Sequence, residues 1–168
     1  MPIRGSKIET PRELYLHQLG AALTMENAIL ELLPQLETQA QNMQLQQALR
    51  HHREETQGHV RNLQQVFAAL GDEPDDSPCP AIDGLAKEGQ ATLKMVDDGL
   101  KDAVILSGVC ETEHHEIAVY EGLITTAQAM GERDVAAPLH ANLANEQETL
   151  QLAKQMAQQL AQREALTV

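Results

Sequence analysis

Residues 100–130 read LKDAVILSGVCETEHHEIAVYEGLITTAQAM. At 100° per residue, Leu106, Cys110, Ile117 and Ile124 fall on one stripe, the pattern of a helix that buries one face. Glu113 falls at the centre of that stripe and Glu116 at its flank. Burying an unpaired carboxylate costs several kcal/mol. A single such residue is compatible with a snorkelling side chain at the edge of a core. The reading therefore turns on whether the rest of the chain repeats the pattern.

It does. Thr10-Pro11 opens a helix with Thr as N-cap and Pro at the first helical position. The periodicity then predicts α1 over Pro11–Thr38, α2 over Met43–Leu70, a short α3 over Ile82–Val96, α4 over Leu100–Met130 and α5 over Arg133–Gln162. Glu26 is in line with Leu19 and Leu33 on the α1 stripe, which Leu16, Leu23 and Leu30 complete. Pro34 is expected to kink α1 near its end. On α2 the apolar face is Leu45, Leu49, Leu63, Val66 and Phe67, interrupted by His52, Thr56 and His59 with Glu55 at the flank. On α5, Glu146 is central among Val135, Leu139, Leu143, Leu150 and Ala153. Glu54, His115 and Glu148 point away from their stripes, and His114 lies at an edge.

The connections set the topology. Only a few residues join α1 to α2 and α4 to α5, so each pair is an antiparallel hairpin. Between α2 and α4 lie Gly71, the Pro-rich loop DEPDDSPCP (72–80) and α3. That stretch is long enough to cross a bundle lengthwise, which makes α2 and α4 parallel. Two hairpins joined by a long crossover is the ferritin-like form of the four-helix bundle. The expected fold is therefore all-α, a single domain over 10–165 behind a loose tail over 1–9.

The same connections place the acids at one depth. Glu26 precedes Gln39 by 13 residues and Glu55 follows Asn42 by 13, so both lie roughly 20 Å from the first turn. Glu116 precedes Gly131 by 15 residues and Glu146 follows it by 15, roughly 22 Å from the second. Carboxylates gathered in one layer repel one another and protonate unless cations join them. Five carboxylates with one or two imidazoles suit a pair of iron or manganese ions better than zinc.

Composition agrees. The chain has 168 residues, 42% apolar, with Tyr15, Phe67 and Tyr120 as its aromatic residues, so the core is aliphatic. Twelve Lys and Arg stand against 25 Asp and Glu, a formal charge of −13. That argues against nucleic acid and anionic membranes as partners, since both need basic patches. The first ten residues lack the apolar core of a signal peptide, and no later run is long enough to span a membrane, so a cytoplasmic location is expected. Two cysteines make no disulfide framework. Cys110 reads as a buried thiol, and Cys79 lies in the Pro-rich loop, a place for an exposed one.

A Glu on α1, Glu and His on α2, Glu113-x-x-Glu116 on α4 and a Glu on α5 resemble a ferritin-like di-iron carboxylate protein. The Glu-x-x-Glu element is similar to that of rubrerythrins. HHREETQGHVRNLQQVF (51–67), ETEHHEIAVYEGL (111–123) and NLANEQETL (142–150) resemble the YciE/YciF family of bacterial ferritin-like, stress-associated proteins. The resemblance covers about residues 10–160. It implies Glu26, Glu55, Glu113, Glu116 and Glu146 as acid ligands of two iron ions, or of a manganese or mixed pair, with Glu113 and Glu55 bridging. Peroxidase- or ferroxidase-type chemistry with peroxide or dioxygen, a separate electron donor and a homodimer are its further implications. Iron storage, or a structural metal in a non-catalytic helical protein, are the alternatives. Two departures stand out. Gly58 occupies the third place after Glu55, so the α2 imidazole is either His59, one residue further on, or His52, three before. Thr149 stands where a Glu-x-x-His on α5 places its imidazole. The histidine that is not a ligand, and Tyr120, are expected to hydrogen-bond the ligand carboxylates.

Overall fold

The computed structural model describes residues 7–165 and contains five α-helices, with no strand among the described residues. Most of the expected tail lies outside them; residues 7–9 have no regular secondary structure. α1 spans Pro11–Gln39 and begins with a capping box: Thr10 Oγ1 accepts from the Glu13 amide at 3.2 Å, and Glu13 Oε2 accepts from the Thr10 amide at 2.9 Å. The helix continues past Pro34. α2 spans Met43–Leu70, with the Asn42 side chain capping Gln44 and Leu45. α2 and α4 (Lys101–Met130) end on Gly71 and Gly131 at φ 73° and 78°, a left-handed conformation that favours glycine.

Two helix starts differ from the sequence reading. α3 spans Pro80–Leu93, because Pro80 is pre-set for a first helical position. α5 spans Ala136–Ala165 behind a separate 3-10 turn, Arg133–Val135. Pro138 is the reason. A helix continuous from Arg133 would need the amide hydrogen that Pro138 lacks, whereas in the first turn it is not required.

α1 pairs with α2 and α4 with α5, while α2 packs on α5 and α1 on α4. The side chains give the directions: His52 and His59 of α2 meet Glu113 and Tyr120 of α4 in the same order, so these two helices are parallel. The two hairpins and their crossover thus form the ferritin-like bundle. α3 lies across α4 and α1. The loop leading to it is held at Gly20, where a Cβ would stand 2.7 Å from Asp75 Oδ1. Leu19, Leu63, Phe67, Ala127 and Leu139 are among the fully enclosed residues of the core.

Asp102 ties the hairpins together. This buried carboxylate on α4 accepts from the amides of Gln41 (2.7 Å) and Asn42 (2.9 Å) at the first hairpin turn. Replacing Asp102 by Ala is expected to cost about 3 kcal/mol, through two hydrogen bonds to a charged acceptor. Thermal unfolding should register this as a fall in midpoint of roughly 6–12 °C.

Candidate metal centre

The polar interruptions of the four stripes meet inside the bundle. Glu26, Glu113, Glu116 and Glu146 are all 1% exposed or less, and His52 and His59 are buried beside them. Helical spacing explains the placement. His52 and His59 are two turns apart on one face of α2, and Glu113 and Glu116 occupy adjacent turns of one face of α4. α1 and α5 each add one carboxylate.

These side chains form two groups within which one ligand atom from each residue lies within 4.8 Å of the others. The first is His52, Glu113, Glu116 and Glu146; the second is Glu26, His59 and Glu146. Glu146 belongs to both. His52 Nε2 lies 3.1 Å from Glu113 Oε1. His59 Nδ1 lies 2.8 Å from Glu146 Oε1 and 3.5 Å from Glu26 Oε2.

Each imidazole turns one nitrogen to the carboxylates and the other to α5. His59 Nε2 is 3.4 Å from Asn145 Oδ1, and His52 Nδ1 is 3.4 Å from Thr149 Oγ1. Tyr120 donates its hydroxyl to Glu26 Oε1. Asn142 Nδ2 donates to Tyr120 Oη (3.0 Å) and to the His59 carbonyl (3.3 Å), and Asn62 Nδ2 donates to Asn142 Oδ1 (2.7 Å). This outer set of contacts fixes ring and carboxylate orientation, as it does around metal ligands.

The electrostatics are those of a site short of positive charge. Both oxygens of Glu116, and Oε2 of Glu26, Glu113 and Glu146, are buried without a hydrogen-bond donor, while Glu146 Oε1 has His59 Nδ1 beside it at 2.8 Å. Burial pushes Glu26 above the ordinary carboxylate range, despite His59 and Tyr120. Burial takes Glu113 to about 7 against the pull of His52. Burial and then the charges of Glu146, Glu26 and Glu113 hold Glu116 well above its usual value. Burial alone would lower the imidazoles. The Glu146 and Glu26 carboxylates instead raise His59 to about 10, and Glu113 and Glu55 hold His52 well above its ordinary value. Protons thus balance part of the carboxylate charge here. Divalent cations can take their place, and the donor set of oxygens with two imidazole nitrogens fits iron or manganese.

Of the residues expected from the sequence, Glu26, His59, Glu113, Glu116 and Glu146 come together, and His52 joins them directly. Glu55 does not enter either group. Its half-buried carboxylate accepts from Asn145 Nδ2 at 3.3 Å and faces His51 and His52 at 3.5 and 3.7 Å. His52 lowers its pKa, the opposite of the inner acids. The residue common to both groups is Glu146. A flank position on α2 turned Glu55 toward α5 and solvent.

The sequence reading passed over Asn142 and Asn145. Asn142 was detectable, because it lies four residues before Glu146 on the same stripe. The cysteines also differ from expectation. Cys79 is buried, with Sγ 3.8 Å from Nε2 of a half-buried His115, because α3 folds back on α4; Cys110 is partly exposed at the edge of its stripe. No helix among the described residues is long and apolar enough to cross a membrane.

Comparison with known proteins agrees with this architecture. Residues 10–166 match a family described as a domain of unknown function, DUF892. Protein YciF of Escherichia coli (strain K12) is 28% identical over 144 residues, covering 84% of this chain and 87% of that protein. The solved structure of YcfI from Rhodopseudomonas palustris shares 38% identity at a TM-score of 0.87, covering 89% of this chain and 96% of that one. The crystal structure of the E. coli stress protein YciF shares 26% identity at a TM-score of 0.88, over 92% and 99% of the two chains. With its helices, its crossover and nearly its whole length accounted for, the chain belongs to the YciF-like DUF892 family.

Proposed function

We propose that the cluster binds two divalent, redox-active metal ions, iron foremost, and that the protein uses them on peroxide or dioxygen. The observation that carries this reading is the set of buried carboxylate oxygens with no donor, converging from α1, α4 and α5 on two imidazoles. His52, Glu113 and Glu116 would hold one ion and Glu26 and His59 the other, with Glu146 shared. Two such ions in the reduced state supply the electron pair that, with two protons, turns hydrogen peroxide into two waters or dioxygen into hydrogen peroxide.

The chain's own residues set the conditions for that chemistry. The aliphatic core excludes bulk water from the carboxylates. The Asn62–Asn142–Tyr120 chain fixes Glu26. Asn145 and Thr149 stand at the second nitrogen of each imidazole. With two imidazoles against four inner carboxylates, the site favours the higher charge of an oxidised pair. That E. coli YciF is described as a stress protein supports a role in handling oxidants.

Metal analysis of protein purified without chelator, followed by anaerobic Fe(II) titration, tests this. About two ions per chain are expected, and addition of peroxide or dioxygen should raise a near-ultraviolet ferric absorbance. Bound metal that never changes oxidation state would sink the redox reading and leave a structural site. Replacing Glu55 by Gln should leave the stoichiometry intact and weaken binding about tenfold, the size of effect seen for residues behind the ligands.

A further inference from the structure

A cavity of about 50 Å³ lies between α1, α3 and α4, and its inner end is formed by His52 and Glu113. Aliphatic side chains, Leu33, Leu36, Leu93, Ile105 and Val109 among them, make up most of its wall, with Gln90 and Thr112 as polar neighbours. It exceeds the roughly 10–15 Å³ needed to seat one water, but its aliphatic wall offers a water few hydrogen-bonding partners. It falls far below the roughly 300–1,000 Å³ of pockets for ordinary organic ligands. A very small, apolar molecule fits it best.

Two glycines open this space. Gly89 on α3 and Gly108 on α4 both line it, half-buried and in the middle of helices. Mid-helix glycine costs about 1 kcal/mol relative to alanine. Neither position has a left-handed backbone, and a Cβ at either meets nothing within 4 Å. No close approach of backbone explains them. What their missing side chains provide is the room itself.

The cluster has a second approach. A second cavity, of about 40 Å³ and also lined largely by aliphatic side chains, reaches His52 from α2 and α5, with His51, Glu55 and Thr149 along it. His51, Glu55 and Thr149 offer hydrogen peroxide hydrogen-bonding partners along that approach, and the aliphatic stretch formed by Leu33, Leu36 and Leu93 in the first cavity offers none. Dioxygen has no such bonds to lose.

We infer that the Gly89/Gly108 cavity is a dioxygen site that delivers the gas to the His52–Glu113 end of the cluster. The delivery rests on the metal reading above; the gas site does not.

The test uses Gly108→Leu, with Gly89→Leu as a second plug from the opposite wall; both exchange glycine for a better helix former. Crystals of the metal-free protein pressurised with xenon should show a xenon atom among Leu33, Ile105 and Val109 in the wild type and none in either variant. In Fe(II)-loaded protein, both variants should oxidise iron about tenfold more slowly with dioxygen, about 1.4 kcal/mol on the barrier, and at an unchanged rate with hydrogen peroxide. Absence of xenon from the wild-type cavity overturns the gas site. Loss of xenon with an unchanged dioxygen rate, or equal slowing with both oxidants, overturns delivery. Failure of the metal reading looks different: no protein takes up iron, while xenon still marks the cavity and supports the gas site.

Discussion

Glu146→Ala is expected to empty both metal positions together, taking bound Fe(II) or Mn(II) from about two ions per chain to near none. Glu146 is the residue common to the four-residue and the three-residue groups, with both carboxylate oxygens buried and Oε2 without a donor. Its loss leaves Glu26 and His59 as a two-ligand remnant and His52, Glu113 and Glu116 as a three-ligand one. Neither keeps the shared carboxylate that lets two like-charged ions sit close together. Glu26→Ala should behave differently, because Glu26 belongs to one group only; about one ion per chain should survive. Metal analysis beside far-ultraviolet circular dichroism distinguishes loss of ligand from loss of fold. Two ions retained by Glu146→Ala would refute the shared role.

Metal binding should also stabilise the protein strongly, and more so as pH rises. In the metal-free protein Glu113 titrates at about 7 against an ordinary 4.5, so between those values the folded state holds a proton that the unfolded chain has released. Stability from this group is present at low pH and falls as pH rises through 7. Glu26 and Glu116 are shifted in the same direction. His59, raised from 6.5 to about 10, contributes stability fully below 6.5 and loses it as pH rises through 10, and His52 acts with it. The carboxyl groups therefore make the metal-free protein less stable as pH rises from about 5, and the two imidazoles add to that loss above about 6.5. Metal ions need the deprotonated forms and replace the protons lost. At a thousandfold excess over its dissociation constant, Mn(II) adds about 4 kcal/mol, roughly 8–16 °C in midpoint near pH 8. Near pH 5 the gain should shrink toward zero. Melting curves with and without Mn(II) across this range check both signs, and a metal-free protein that gains stability with pH would contradict them.

The helical stripes made most of this architecture legible in the sequence. A period of 3.6 in Leu, Ile and Val, the Thr10-Pro11 start and the glycines at 71 and 131 are local signals, and each acts through backbone chemistry within a few residues. The start of α5 was misplaced because the stripe continues through Val135, while the constraint that matters is the missing amide hydrogen of Pro138. At the site, the residues central to a stripe, Glu26, Glu113 and Glu146, were identifiable because a core position leaves a carboxylate one direction to point. A flank position left burial undecided. Glu55 and Glu116 sit at comparable wheel angles, yet Glu116 is wholly buried and Glu55 lies at the rim. Which way a flank residue turns depends on the neighbouring helix and its rotation, and neither is encoded in the helix itself.

By itself the sequence determined that four amphipathic helices carry carboxylates and imidazoles on their buried faces, at matching distances from two hairpin turns. Those are consequences of a fixed rise and twist per residue. Only the tertiary structure decided that Glu146 is shared between two groups, that His52 and His59 both face the acids, and that Glu55 remains outside. It also decided that two mid-helix glycines leave an apolar space ending at the cluster. Such features depend on how helices rotate and close against one another, an outcome of packing the whole core that no single helix specifies.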